Sequence, residues 1–284
     1  MRGLLFLIMI SLSFNSYGQT WDELIFQGKK ERANGNFEKA ADLIFKGAAL
    51  KEKQNFEHYY YSGVLYARVN NINASFKSLE KAIDAGMYDL ARLERNNRLK
   101  ILHGDKRWDE LKIKMQVSEQ KYVANLSHPE LRVELKQMWK TDQDLVGKWE
   151  EQKIIVNQNT VRLNEIIEQF GWPVRSMIGQ DGTWMAWAIA QHSYDPDFQI
   201  KCLKLLENTL HTNEPEPVLF AELNDRICKN ANQKQKFGQA IIEENSLKKF
   251  YPIADESKVD ERRKSIGLAP LKVYANENYV AYLK

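Results

Sequence analysis

Between residues 21 and 86 the apolar and small positions fall at helical spacing and recur 35 residues apart. Gly28, Ala40, Ile44 and Gly47 are answered by Gly63, Ser75, Leu79 and Ala82. Small side chains at three of these positions let two antiparallel helices approach within a hairpin. The aliphatic fourth fills the groove between hairpins. Asn34-Gly35-Asn36 and Asn70-Asn71 mark the turn inside each hairpin. The stretch from Ala82-Ile83-Asp84-Ala85-Gly86 to Lys106-Arg107-Trp108-Asp109-Glu110-Leu111 predicts one or two short capping helices. Residues 112–126 lack a strong apolar period. Ser127-His128-Pro129-Glu130 then reads as an N-cap with Pro just inside a new helix. A domain boundary near 120–127 is expected, with domains over 19–118 and 127–284.

The second half is patterned differently. Leu131, Leu135, Met138, Asp142, Leu145 and Trp149 continue at spacings of three or four, which predicts one long helix with Asp142 on its apolar face. A helix through Val161–Ile167 should stop at Gly171-Trp172-Pro173. Thr183 opens an almost wholly apolar helix, Trp184 to His192, that must be buried and ends on Gln191 and His192. Asp195-Pro196 caps the next helix, carrying Phe198, Cys202, Leu205 and Leu206. After Pro215 and Pro217 a third helix turns Leu219, Leu223 and Ile227 inward, with Arg226 on that stripe and Asp225 beside it. The apolar runs Ala240-Ile241-Ile242 and Phe250-Tyr251-Pro252-Ile253 predict a small β-hairpin. The fold class is therefore mainly α: helical hairpins followed by a second helical domain.

Two resemblances add to this. Through Gly28, Phe37, Ala40 and Ile44, then Gly63, Tyr66, Ser75, Leu79 and Ala82, the first region resembles tetratricopeptide repeats. That resemblance implies a groove for a protein or peptide partner over residues 21–115, which His58-Tyr59-Tyr60-Tyr61 and Tyr66 could line. The alternative is a helical spacer docked on the second domain. Gly171-Trp172-Pro173, Gln191-His192, Gln199, Asp225-Arg226, Gln235 and Phe237-Gly238 resemble an uncharacterised bacterial domain family of unknown function. Pro252-Ile253, Asp255, Val259-Asp260, Arg262-Arg263 and Gly267-Leu268 match the same family, from about 130 to 275. Where that family tends to read Tyr-Gly-Thr-Gln, this chain reads Phe237-Gly238-Gln239-Ala240. The resemblance implies no known activity.

The amino terminus changes the compartment. Arg2 precedes the apolar run Leu4 to Leu12, and Ser16-Tyr17-Gly18 supplies small residues at −3 and −1 before Gln19. This is the pattern of a secretory signal peptide over 1–18, too short to span a membrane. No Cys follows the cut, which argues against a lipid anchor. The mature protein is expected to be exported, periplasmic or extracellular, with no stable membrane insertion. The net charge of +3 gives no reason to expect a nucleic-acid partner. Cys202 and Cys228 are the two cysteines. They could bond in an oxidising compartment, but their apolar neighbours favour two buried thiols.

The candidate chemistry lies in polar groups on apolar helix faces: Asp142, Gln191, His192, Asp225, Arg226, Arg262 and Arg263. Burying them singly would cost several kcal/mol, so they are expected to converge in one network. Such a network could be structural, tying helices together. It could instead bind a small anionic or peptide ligand. It could also form a catalytic site of a metal-independent hydrolase or transferase, with His192 as general acid or base and Asp142 or Asp225 orienting its ring. His192, Asp225 and Arg226 are the catalytic candidates. The five histidines lack paired ligand spacing, and no Gly-rich phosphate loop or Gly-x-Ser-x-Gly elbow is present. No metal and no cofactor are expected.

Overall fold

The computed structural model describes residues 20–51, 55–244 and 247–278. The expected signal peptide, residues 1–18, lies outside the described residues. The chain divides into two compact units between Tyr122 and Val123.

The first unit begins with two helical hairpins. Helices α1 (Trp21–Ala33) and α2 (Phe37–Leu50) form one, and α3 (Phe56–Arg68) and α4 (Ile72–Asp84) the other. Thr20 and Glu23 close a reciprocal capping box on α1, and the Asn71 side chain accepts from the Ala74 amide to start α4. The 35-residue repeat corresponds to repeated contacts. A methyl placed on Gly28 would lie 2.5 Å from Ile44 Cγ1, and one on Gly63 would lie 3.0 Å from Leu79 Cδ2. The glycines are thus where the helices touch. Ile44 and Leu79 are both buried to within 1%. In the second hairpin the Ser75 hydroxyl donates to the Gly63 carbonyl at 2.8 Å, so a small polar residue satisfies itself at the crossing.

After α4 come α5 (Leu90–Arg95), a 3₁₀ turn over Asn97–Leu102, and α6 (Arg107–Ala124). Leu93, Leu99, Leu102, Trp108, Leu111 and Met115 close the core beneath the second hairpin. Most of the stretch 112–126, without strong period in the sequence, is helical. Only Trp108, Leu111 and Met115 of α6 are buried, a stripe too narrow for the sequence to display a clear period.

The second unit contains α7 (Pro129–Asp144), α8 (Trp149–Phe170), α9 (Arg175–His192), α10 (Pro196–Thr209) and α11 (Pro217–Asn230). The antiparallel hairpin of β1 (Ile241–Glu244) and β2 (Leu247–Phe250) follows, then α12 (Val259–Ser265) and α13 (Leu271–Asn278). The fold is mainly α with one small β-hairpin, whose register pairs Ile241 with Phe250 and Glu243 with Lys248. The single long helix expected from Leu131 to Trp149 is instead two helices. Gly147 (φ +92°) breaks the run, and Trp149 stands 72% exposed at the start of α8. Gly179 (φ +79°) likewise kinks α9 just past its first turn. Asp195 caps α10 by accepting from the Asp197 and Phe198 amides. Leu135, Leu163, Ile178, Ala186, Ala190, Leu206 and Leu223 form the centre of this core. Cys202 and Cys228 are buried free thiols, and burial pushes the Cys202 thiol up to about 12. No described helix is long and apolar enough to cross a membrane.

Candidate functional site

The polar residues singled out in the sequence do not converge on one network. They separate into two hydrogen-bonded clusters, with an open pocket taking the remainder.

The first cluster is built on α7, α8 and α9. Asp142, 2% exposed near the end of α7, lies with its Oδ2 2.7 Å from His192 Nδ1. Gln152 of α8 donates from Nε2 to Asp142 Oδ1 at 2.9 Å, and Gln143 donates to Oδ2 at 3.1 Å. Both carboxylate oxygens are therefore occupied, as burial demands. The His192 side chain is 28% exposed, and the Trp139 ring lies 5.0 Å away, centroid to centroid. Asp142 rather than Asp225 holds the imidazole. With Nδ1 engaged, Nε2 is the nitrogen left for chemistry.

The second cluster fixes the chain between α11 and β1. Asp225, fully buried on α11, accepts from the Lys236 amide at 2.7 Å, from Phe237 at 3.0 and 3.1 Å, and from Gln239 at 2.8 Å. Gly238 (φ +74°) permits the tight turn this requires. Burial pushes the Asp225 carboxyl up, while these amides and Arg263 pull it back. Arg263, 2% exposed, donates to the carbonyls of Phe237 and Ala269 at 2.6 Å each. Arg262 donates to those of Lys236 and Ala254. Gln235, also fully buried, bonds Ala240 in both directions and Tyr251 in one. Asp225, Arg262 and Arg263 are therefore bonded to backbone, and the one network expected to join them to Asp142 and His192 is not formed. The reason is that a buried turn outside helix and sheet has unpaired amides and carbonyls, and these side chains supply their partners.

That turn forms one wall of a pocket of about 300 Å³. Trp187 and Gln191 of α9, Glu222, Arg226 and Lys229 of α11, and Gln239, Ala240 and Ile241 line it. Trp187 is fixed from behind by its indole N–H, which donates to the Leu219 carbonyl at 2.9 Å. Arg226 is solvent-exposed rather than inward on its helix, another correction. The protein around its stem lowers its pKa, but an arginine remains a cation. Glu222 has no ion pair among the described residues, and desolvation pushes its carboxyl up to about 7. Gln239 is 8% exposed, and its Oε1 is shielded from water with no donor. Among the described residues this is one of few buried polar atoms in that position, and such an atom costs roughly 1–3 kcal/mol unless something pairs with it.

Nothing in the sequence marks Glu222 as a site residue. The available signal was its i, i+4 spacing from Arg226, which every solvated helix shares. A larger cleft of about 940 Å³, with Leu203, Leu210, Phe220 and Ile266 in its walls, has no such unpaired buried side chain. Among the described residues no group of His, Cys, Asp and Glu is arranged to hold a metal ion.

Every residue of both clusters and the pocket falls within residues 134–283, and over that span the chain matches the model of one protein family. The chain belongs to a family of unknown function (DUF6624). The match agrees with the resemblance seen over about 130–275 and extends it to 283. No curated protein and no solved structure matches the chain. The family domain thus supplies the frame, and its chemistry must be read from these residues.

Proposed function

We propose that this is an exported binding protein whose family domain takes a small anionic ligand in the Glu222–Arg226–Gln239 pocket. In this reading the amino-terminal hairpins are tetratricopeptide-like and engage a protein or peptide partner through residues 21–115. One observation carries the ligand reading. Arg226 and Lys229 line the pocket with no ion pair among the described residues, so two cations are available to a carboxylate. Ligand-observed NMR with a panel of small carboxylates tests it. Saturable binding at millimolar concentration or below is expected, falling at least tenfold in Arg226→Met. Absence of binding by every carboxylate overturns the reading.

A second reading, a metal-independent hydrolase or transferase, is favoured by the His192–Asp142 pair. A buried carboxylate orienting a partly exposed imidazole is an arrangement suited to general-base catalysis. It predicts hydrolysis of p-nitrophenyl acetate above the buffer rate, lost in His192→Ala and retained in Arg226→Met. Equal rates for the parent and His192→Ala rule it out.

A further inference from the structure

Glu222 and Arg226 are four residues apart on α11 and line the same pocket, yet they form no ion pair. This spacing ordinarily allows one. The pocket therefore holds charges of both signs, neither in an ion pair among the described residues; Glu222 does act on the Tyr274 hydroxyl, whose titration it pushes up. Beside them Gln239, nine-tenths buried and fixed through its own amide by Asp225, carries an acceptor oxygen with no donor. Its terminal amide torsion is soft, so the group can turn that oxygen toward the pocket it lines. A simple anion would answer Arg226 and Lys229, but it would set its charge beside Glu222 and bring no donor for Gln239.

We propose that the ligand is a small zwitterion, a free α-amino acid or a dipeptide. Its carboxylate meets Arg226 and Lys229, and its ammonium meets Glu222 and Gln239 Oε1. The indole of Trp187 and the side chain of Ile241 provide the apolar wall for a side chain. A volume of about 300 Å³ lies at the small end of ligand pockets, which suits one or two residues better than a longer peptide. This inference rests on the anion-binding reading above and adds the second charge.

The test uses the full chain without residues 1–18 at pH 7.5, where Glu222 is largely ionised and the α-amino groups of the probes still carry most of their protons, and reads binding by calorimetry. The probes are the twenty free amino acids and their glycyl dipeptides. For each binder they are extended to its N-acetyl derivative, which lacks the ammonium, and its amide, which lacks the carboxylate. At least one free zwitterion is expected to bind, with both derivatives at least tenfold weaker. Glu222→Gln should remove the preference for the free amine while carboxylate binding remains. If N-acetyl derivatives or plain carboxylates bind as tightly as the free zwitterions, the anion reading stands and the zwitterion falls. If amides and plain amines bind without any carboxylate requirement, both fall. If none of the probes binds, the zwitterion proposal is overturned, and the carboxylate panel decides the anion reading separately.

Discussion

Replacing Glu222 by Gln keeps the shape of the side chain and removes a titration. In the folded chain burial raises this carboxyl from 4.5 to about 7. At about 1.4 kcal/mol per pH unit, keeping it ionised inside the fold costs up to about 3 kcal/mol. Residual solvent contact reduces that to about 1–3. The sign follows from where the proton is held. The folded state binds it more tightly than the unfolded state, so Glu222's favourable contribution is complete below about pH 4.5. It is lost as pH rises through 7. Gln does not titrate. Glu222→Gln should therefore match the parent near pH 4, lie within about 1 kcal/mol of it near pH 5, and exceed it by about 1–3 kcal/mol near pH 8.5. Urea unfolding followed by tryptophan fluorescence is suited to this, because five of the seven tryptophans lie between residues 139 and 187. A stability gap that is the same at pH 5 and pH 8.5, or that favours the parent at high pH, would refute the reasoning.

Other expectations follow from single contacts. Gly238→Ala forces a side chain into the left-handed region and sets its Cβ 2.5 Å from Leu271 Cδ1. It should cost about 2 kcal/mol or more and loosen the Gln239 wall, read by urea midpoint and by amide exchange at residues 236–240. Asp142→Ala leaves Gln152 and His192 without their acceptor. A loss of about 2–4 kcal/mol is expected, together with a changed His192 tautomer in nitrogen NMR; an unchanged imidazole spectrum would contradict the pairing. Gly28→Ala pushes a methyl to 2.5 Å from Ile44 Cγ1 and 3.1 Å from the Ala40 carbonyl. It should destabilise the first hairpin by about 1–3 kcal/mol, seen as faster exchange in α1 and α2. Amino-terminal sequencing of protein recovered from an export-competent host should begin at Gln19, whereas a retained Met1 would refute cleavage.

Local information was enough for much of this fold. Helix stops and starts were legible because Asp195-Pro196, Pro217 and Gly171-Trp172-Pro173 act within a turn of chain. The 35-residue repeat was legible from its recurring small and aliphatic positions, but that Ile44 packs on Gly28 and Leu79 on Gly63 inside each hairpin was not. The polar residues on apolar faces were also visible, since a carboxylate at Asp142 or Asp225 on a buried stripe is costly unless paired. What each one pairs with was not visible. Asp142 reaches His192 fifty residues away, and Asp225 is taken by amides of a turn that begins eleven residues downstream. The character of Glu222 was equally hidden. In the sequence it is one more acid on a helix; in the fold, the protein packed around α11 removes water from it, and neighbouring walls make it part of a pocket. Periodicity and capping are set by neighbours along the chain, so the sequence alone determined them. Burial, pKa and the partner of a polar group depend on which distant segment folds back, and only the tertiary structure decided those.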